Sequence, residues 1–179
     1  MLTLVFDFET TGLSLHPAAK LNLQPRAIEF GGVIIRPDGE IIREISYLID
    51  PEQLIDEVIT KVTGLTNDDL RGKPKFTQVY PEIREAFEMV DVSAAHNHPF
   101  DKDILSFELA RLGVTDFPFA KFELCTVQTY AGEWGKRPKL TQLYEAVIGR
   151  KLEQTHRALD DCKALAEIVV ADRLLEMFN

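Results

Sequence analysis

Three short apolar-rich runs, Leu2 to Phe8, Ala27 to Ile35 and Ile41 to Ile49, open the chain and predict three strands. The last two flank "RPDGE", where Pro37, Asp38 and Gly39 supply the turn chemistry, so these strands should pair antiparallel. Between the first and second runs, "TGLSLHPAAKLNLQPR" holds Gly12, Pro17 and Pro25, keeps no period, and reads as a loop. The period then changes. Phe76, Val79, Ile83, Phe87 and Val90 recur every three or four residues and predict a helix over Phe76 to Val90. A short strand follows at Val92 to Ala95, then a helix opened by Pro99 and closed by Gly113. Phe122 to Val127 predicts another strand, "KLTQLYEAVIG" a short helix, and Arg157 to Met177 the last helix. Three strands followed by alternating helices and strands predict an α/β domain whose central mixed sheet is flanked by helices.

The first strand carries an anomaly. In "LVFDFETTG", residues 4–12, two acids stand two positions apart inside an apolar run. Successive side chains of a strand point to opposite faces, so Asp7 and Glu9 share one face and Phe6 and Phe8 the other. Two carboxylates on one face repel each other and raise a pKa unless a cation lies between them, which makes the pair a candidate metal site. An isolated D-x-E also has a plainer reading as a strand end emerging into solvent.

Composition narrows the class. The chain has 179 residues, 45% hydrophobic and 27% charged, enough for one globular domain with a full core, expected over residues 1–179. No apolar run approaches the roughly 20 residues that span a bilayer, and the N-terminus lacks the pattern of a secretory leader. A soluble, cytoplasmic protein with no membrane partner is expected. Cys125 and Cys162 form no C-x-x-C pair and read as small core residues. The net charge of −9 argues against non-specific coating of nucleic acid, which basic surfaces drive. It leaves room for an enzyme whose acids are neutralised by divalent cations and which meets only a short stretch of substrate.

Two further acids fall on apolar stripes. Asp101 stands in the first turn of a predicted helix after a strand, and helical steps from it lead to Leu105, Leu109 and Leu112, whereas Asp103 aligns with a mixed face. The plainer role is a favourable charge at the positive end of the helix dipole. In "HRALDDCKALAEIVV", Ala158, Cys162, Leu165 and Val169 form the core stripe and Asp161 lies on it, while Asp160 groups with Lys163 and Glu167 on the polar face. An acid on a core stripe needs a partner. His156 precedes this helix closely enough to share a site with Asp161; beside a metal cluster it is a candidate general base, and otherwise a surface or capping residue.

These residues, in this order, resemble the DEDDh (DnaQ-like) family of 3′ to 5′ exonucleases, which includes the epsilon proofreading subunit of bacterial DNA polymerase III and ribonuclease T. Asp7 to Gly12 resembles its D-x-E-T-T-G motif, His96 to Asp101 its H-N-x-x-F-D motif, and His156 to Asp161 its H-x-x-x-x-D motif. "RAIEFGGV" resembles the second strand of the family and "ITKVTGLTNDDL" its I-x-x-x-T-G-I-T segment, so the resemblance runs from about Leu4 to Leu174. The loop from Ser14 to Gln24 is longer than in many members.

The resemblance implies a ribonuclease H-like fold and hydrolysis of nucleic acid from the 3′ end with release of 5′-mononucleotides. It implies two magnesium or manganese ions: Asp7, Glu9 and Asp161 hold one, Asp7 and Asp101 the second, and His156 takes the proton of the attacking water. Thr10, Thr11, Gly12, Leu13, Asn97 and Phe100 are the expected substrate contacts, with a plainer reading of Thr10 to Leu13 and Phe100 as ordinary turn or core residues. Single-stranded DNA is the expected partner, in proofreading or repair. RNA trimming with the same chemistry, a silent nucleic-acid-binding module, and hydrolysis of mononucleotide esters remain as alternatives. The chain ends at Asn179, directly after the last predicted helix, and no stable tether to a polymerase is expected.

Overall fold

A computed structural model describes residues 1–16, 18–135 and 137–178. The strands β1 (Thr3–Thr10), β2 (Ala27–Ile35), β3 (Ile41–Leu48), β4 (Val92–Ala95) and β5 (Phe122–Cys125) form one sheet in the order β3-β2-β1-β4-β5. β2 runs antiparallel to both β1 and β3, while β4 runs parallel to β1 and β5, so the sheet is mixed. Helices α1 (Glu57–Thr63), α2 (Asn67–Leu70), α3 (Phe76–Glu88), α4 (His98–Leu112), α5 (Thr126–Trp134), α6 (Leu140–Ile148) and α7 (Ala158–Ala171) surround it. No helix among the described residues is long and apolar enough to cross a membrane.

Strand alternation divides the core. Leu4, Phe6, Phe8, Phe30 and Ile34 point to one face and pack with Ile83 and Phe87 of α3 and Ile104, Leu105 and Leu109 of α4. Val5, Val33 and Ile35 point to the other and meet Cys162, Leu165 and Val169 of α7 and Leu143 and Tyr144 of α6. β2 is buried along its whole length because it lies inside the sheet with a layer on each face.

The structure departs from the sequence reading at several places. The run after Cys125 turns into α5 instead of extending the strand to Val127, because the Val127 N–H donates to the His96 carbonyl and the chain leaves the sheet. The last helix stops at Ala171, not Met177. Arg173 takes a left-handed φ of 53°, and the chain turns so that Leu174 and Leu175 enter the core and Phe178 stacks on Phe122. "ITKVTGLTNDDL", to which the pattern assigned no element, folds as the end of α1 and as α2, broken by Gly64 at φ 73° and restarted by a Thr66–Asp69 capping box. β1 runs on to Thr10, so Glu9 lies within the strand.

One contact sets the spacing between helix and sheet. A Cβ built on Gly31 in β2 would lie 2.3 Å from the Ala158 carbonyl carbon and 2.4 Å from the Leu159 nitrogen, so the first turn of α7 rests on bare backbone. Gly31→Ala is expected to destabilise the protein by ~1–3 kcal/mol or more through overpacking against backbone that cannot rotate away. Gly132→Ala, in α5 with open space around it, should stabilise by ~0.4–1 kcal/mol. Urea midpoints of the two variants check both signs.

Candidate active site

Asp7 and Glu9 project from β1 toward α7, opposite Gly31 and Glu29 of β2. Because no side chain separates Gly31 from α7, that helix sits low enough for Asp161, in its first turn, to join them. One carboxylate oxygen each from Asp7, Glu9 and Asp161 lies within 4.8 Å of the others. Asp101 arrives from a different direction. β1 pairs with β4 only over Thr3–Val5, and past that point the strands part. The Phe8 N–H on the opened edge donates to Asp101 Oδ1 at 2.9 Å, which draws the almost fully buried Asp101 to the end of the same acidic group. Parting of neighbouring parallel strands is where open α/β sheets form their clefts. Here the cleft, of about 230 Å³, is lined by all four acids together with His96, Asn97, Phe100, Gln154 and His156.

The electrostatics are those of an uncompensated anionic pocket. Burial, then the charges of Asp161 and Glu29, push the Asp7 carboxyl up to about 7. Burial, then Asp7, Asp161 and Glu29, push Glu9 up to about 9. Asp101 is raised by burial and by Asp7, against the Phe8 hydrogen bond, and Asp161 is raised chiefly by burial. Hard carboxylate oxygens this close together fit a hard divalent cation such as magnesium or manganese.

The segment before α7 is tied down residue by residue. Gln154 Nε2 donates to Asp161 Oδ2 at 2.7 Å, Thr155 Oγ1 to Asp160 at 2.7 Å, and Arg157 Nε and Nη2 to Glu29 Oε1 at 3.0 and 2.9 Å. Glu29 is fully buried. Between these anchors His156 is held at φ 51°, a left-handed backbone that costs a non-glycine residue of order 1–3 kcal/mol, with its exposed side chain on the cleft wall. On the opposite wall, His96 accepts from Thr126 Oγ1 at 3.0 Å and donates through Nε2 to the Pro138 carbonyl at 3.0 Å. Arg137 Nη2 donates to Asn97 Oδ1 at 2.7 Å.

Asn97 and Phe100 line the cleft with the acids and His156. Thr10, Thr11, Gly12 and Leu13 lie where β1 leaves the sheet and are not part of that lining. The Thr10 hydroxyl donates to the Gly12 carbonyl at 2.6 Å, and the Thr11 hydroxyl accepts the Arg26 N–H at 3.0 Å. Gly12 faces open space where a side chain would stand, and Leu13 is 81% exposed. The long loop after them is pinned by α4. Arg111 donates to the Leu21, Gln24 and Pro25 carbonyls, while Glu108 accepts the Ala27 N–H and pairs with Arg111 at 3.0 Å.

Glu29, Gln154, Glu108 and Arg111 escaped the sequence reading. Glu29 carried a signal, an acid amid the apolar run "AIEFGGVII". Gln154 carried none, since it lies in a segment without period.

Residues 4–169 match the RNase T family of exonucleases. The PolC-type DNA polymerase III of Clostridium perfringens (strain 13 / Type A) is 34% identical over 165 residues, 92% of this chain and 11% of that protein. The chain thus spans about a tenth of the length of the curated relatives it matches. Among solved structures, the nuclease domain of 3′hExo, a DEDDh family member, bound to rAMP, superposes with a TM-score of 0.73 at 21% identity over 98% of this chain and 92% of that one. Exonuclease X in complex with 5′ overhanging duplex DNA gives 0.73 at 21% identity over 99% and 94%. Both share the ribonuclease H-like fold described above. With that fold and a family match covering nearly the whole length, the chain belongs to the DEDDh (DnaQ-like) family of 3′ to 5′ exonucleases.

Proposed function

We propose that this exonuclease shortens DNA strands from the 3′ end with two divalent cations, magnesium or manganese, and releases 5′-mononucleotides in proofreading or repair. The family is metal-dependent, and the observation that carries the reading is the convergence of Asp7, Glu9 and Asp161 within 4.8 Å, with Asp101 beside them at the opened edge of β1. Asp7, Glu9 and Asp161 would hold one cation, and Asp7 with Asp101 the second. The cations would supply positive charge against an in-line displacement at phosphorus. His156 would accept the proton of the attacking water as the bond to the 3′ oxygen of the preceding nucleotide breaks. Gln154 would keep the Asp161 carboxylate turned into the cleft. Phe100, Asn97 and the Thr10 to Leu13 turn would receive the terminal nucleotide, with Leu13 exposed enough to wedge beside its base. A DNA substrate is supported by the likeness to a polymerase that handles DNA.

Matched single-stranded DNA and RNA, labelled at either end, test this directly. Metal-dependent shortening from the 3′ end is expected, faster on DNA; the reverse rate ratio would turn the reading to RNA trimming. Asp7→Asn and Asp161→Asn should nearly abolish hydrolysis with circular dichroism unchanged, and His156→Ala should lower kcat by about 10²–10⁴-fold. Unchanged turnover in either aspartate variant would sink the assignment.

The raised carboxyls also set a pH dependence. Asp7 and Glu9 bind a proton more tightly folded than unfolded, so their contribution to stability is full below an ordinary carboxylate pKa and is lost as pH rises through about 7 and about 9. Metal-free protein should therefore melt at lower temperature as pH is raised from about 6 to about 9, and magnesium or manganese should raise the melting temperature more at the higher pH. A flat or rising metal-free profile would contradict the acidic cluster.

A further inference from the structure

The cleft floor is acidic, and a nucleic acid strand brings more negative charge to a protein whose net charge is already −9. Bound cations answer for the phosphate being cut, but the phosphates that follow it along the strand need another partner. Arg157 beside the cleft is committed to Glu29, and Lys102, on the helix that carries Asp101, to Glu123. The stretch between α5 and α6 is different. Its sequence, "GKRPK", concentrates basic residues, and its exposed Arg137 reaches the cleft wall with a hydrogen bond to a neutral amide, Asn97 Oδ1 at 2.7 Å. Among the described residues Arg137 makes no ion pair.

Residues 137–140 are built into the cleft. The Pro138 carbonyl can only accept, so His96 Nε2 carries the proton in that 3.0 Å bond and Nδ1 takes the Thr126 hydroxyl, which fixes the ring between the loop and the start of α5. Two residues after Pro138, Leu140 is buried as part of the cleft lining. His96 and Asn97 thus hold the loop from one side and Leu140 from the other, and Arg137 is stationed on the lip. A guanidinium has five N–H donors in a planar fork that matches phosphate, and Asn97 occupies one.

We propose that Arg137 binds a backbone phosphate upstream of the scissile one, so that the α5–α6 loop selects a polymer strand over a mononucleotide ester. His96 and Asn97 act as positioning residues for it. This rests on the exonuclease reading above and names the part of the substrate that the acidic cluster does not reach.

The test compares a dinucleotide without terminal phosphates, whose one phosphodiester is the scissile bond, with an oligomer of about ten nucleotides. In Arg137→Gln the ratio of kcat/KM for oligomer over dinucleotide should fall about tenfold, through KM. The slope of log KM against log salt should shrink by about 0.7, the loss of one phosphate contact to a single strand. Arg137→Lys should restore the salt slope, since it keeps the charge. Anisotropy of a labelled oligomer on the Asp161→Asn protein should show the same loss of affinity on adding Arg137→Gln, independent of turnover. An unchanged length ratio and salt slope would overturn the proposal while leaving the exonuclease reading intact. Equal losses on both substrates would overturn it as well, since they mark a packing role. Hydrolysis of neither substrate by the unaltered protein with metal present would overturn both readings.

Discussion

The contact between the backbone of Gly31 and the first turn of α7 is the constraint on which the rest of the arrangement depends. A helix normally rides above a sheet at a distance set by the side chains between them. At Gly31 there are none, and the Ala158 and Leu159 backbone settles where a Cβ would be. Farther along α7, Cys162, Leu165 and Val169 restore ordinary packing against Val5, Val33 and Ile35. The helix is therefore closest to the sheet at its N-terminal end, and Asp161, three residues after Ala158, is brought to Asp7 and Glu9. A larger residue in the middle of β2 would separate the acids without touching any of them.

One wall of the cleft and the long loop after β1 are fixed by the same device, a buried glutamate answered by an arginine. Glu29 holds Arg157 and with it the segment that presents His156 and Gln154. Glu108 holds Arg111, which gathers three carbonyls of the long loop after Leu13. Removing one partner of such a pair strands a charge in the interior, so each pair ties a loop of irregular sequence to one geometry. A loop that reads as formless from its composition is thereby given a defined path beside the site.

The acidic floor and the basic lip are complementary parts of one electrostatic design. Four carboxyl groups gathered with little solvent work against stability, and the two layers of apolar side chains on either face of the sheet offset that cost. The opened edge of β1 contributes too. Where β4 leaves it, the Phe8 N–H would lack a partner, and Asp101 satisfies it while entering the acidic group. One hydrogen bond serves the backbone and places a ligand-bearing side chain.

Sequence alone determined the elements whose periods are strong and the acids whose positions break those periods. Asp7 and Glu9 are legible because alternation assigns them one face, and Asp101 and Asp161 because an acid on an apolar helical stripe is out of place. The order of the strands in the sheet, the early end of the last helix at Ala171, and the helix α5 after β5 were not legible, since each is decided by what the segment packs against. Leu174 and Leu175 turn inward because a core is there to receive them. Gln154 and Arg137 belong to the same class, and so does the partner of Glu29, whose own place in an apolar run was visible. Their roles come from partners 7, 40 and 128 residues away in the chain. Local pattern records which face a side chain takes; only the closed fold records which charges and backbone groups come to meet it there.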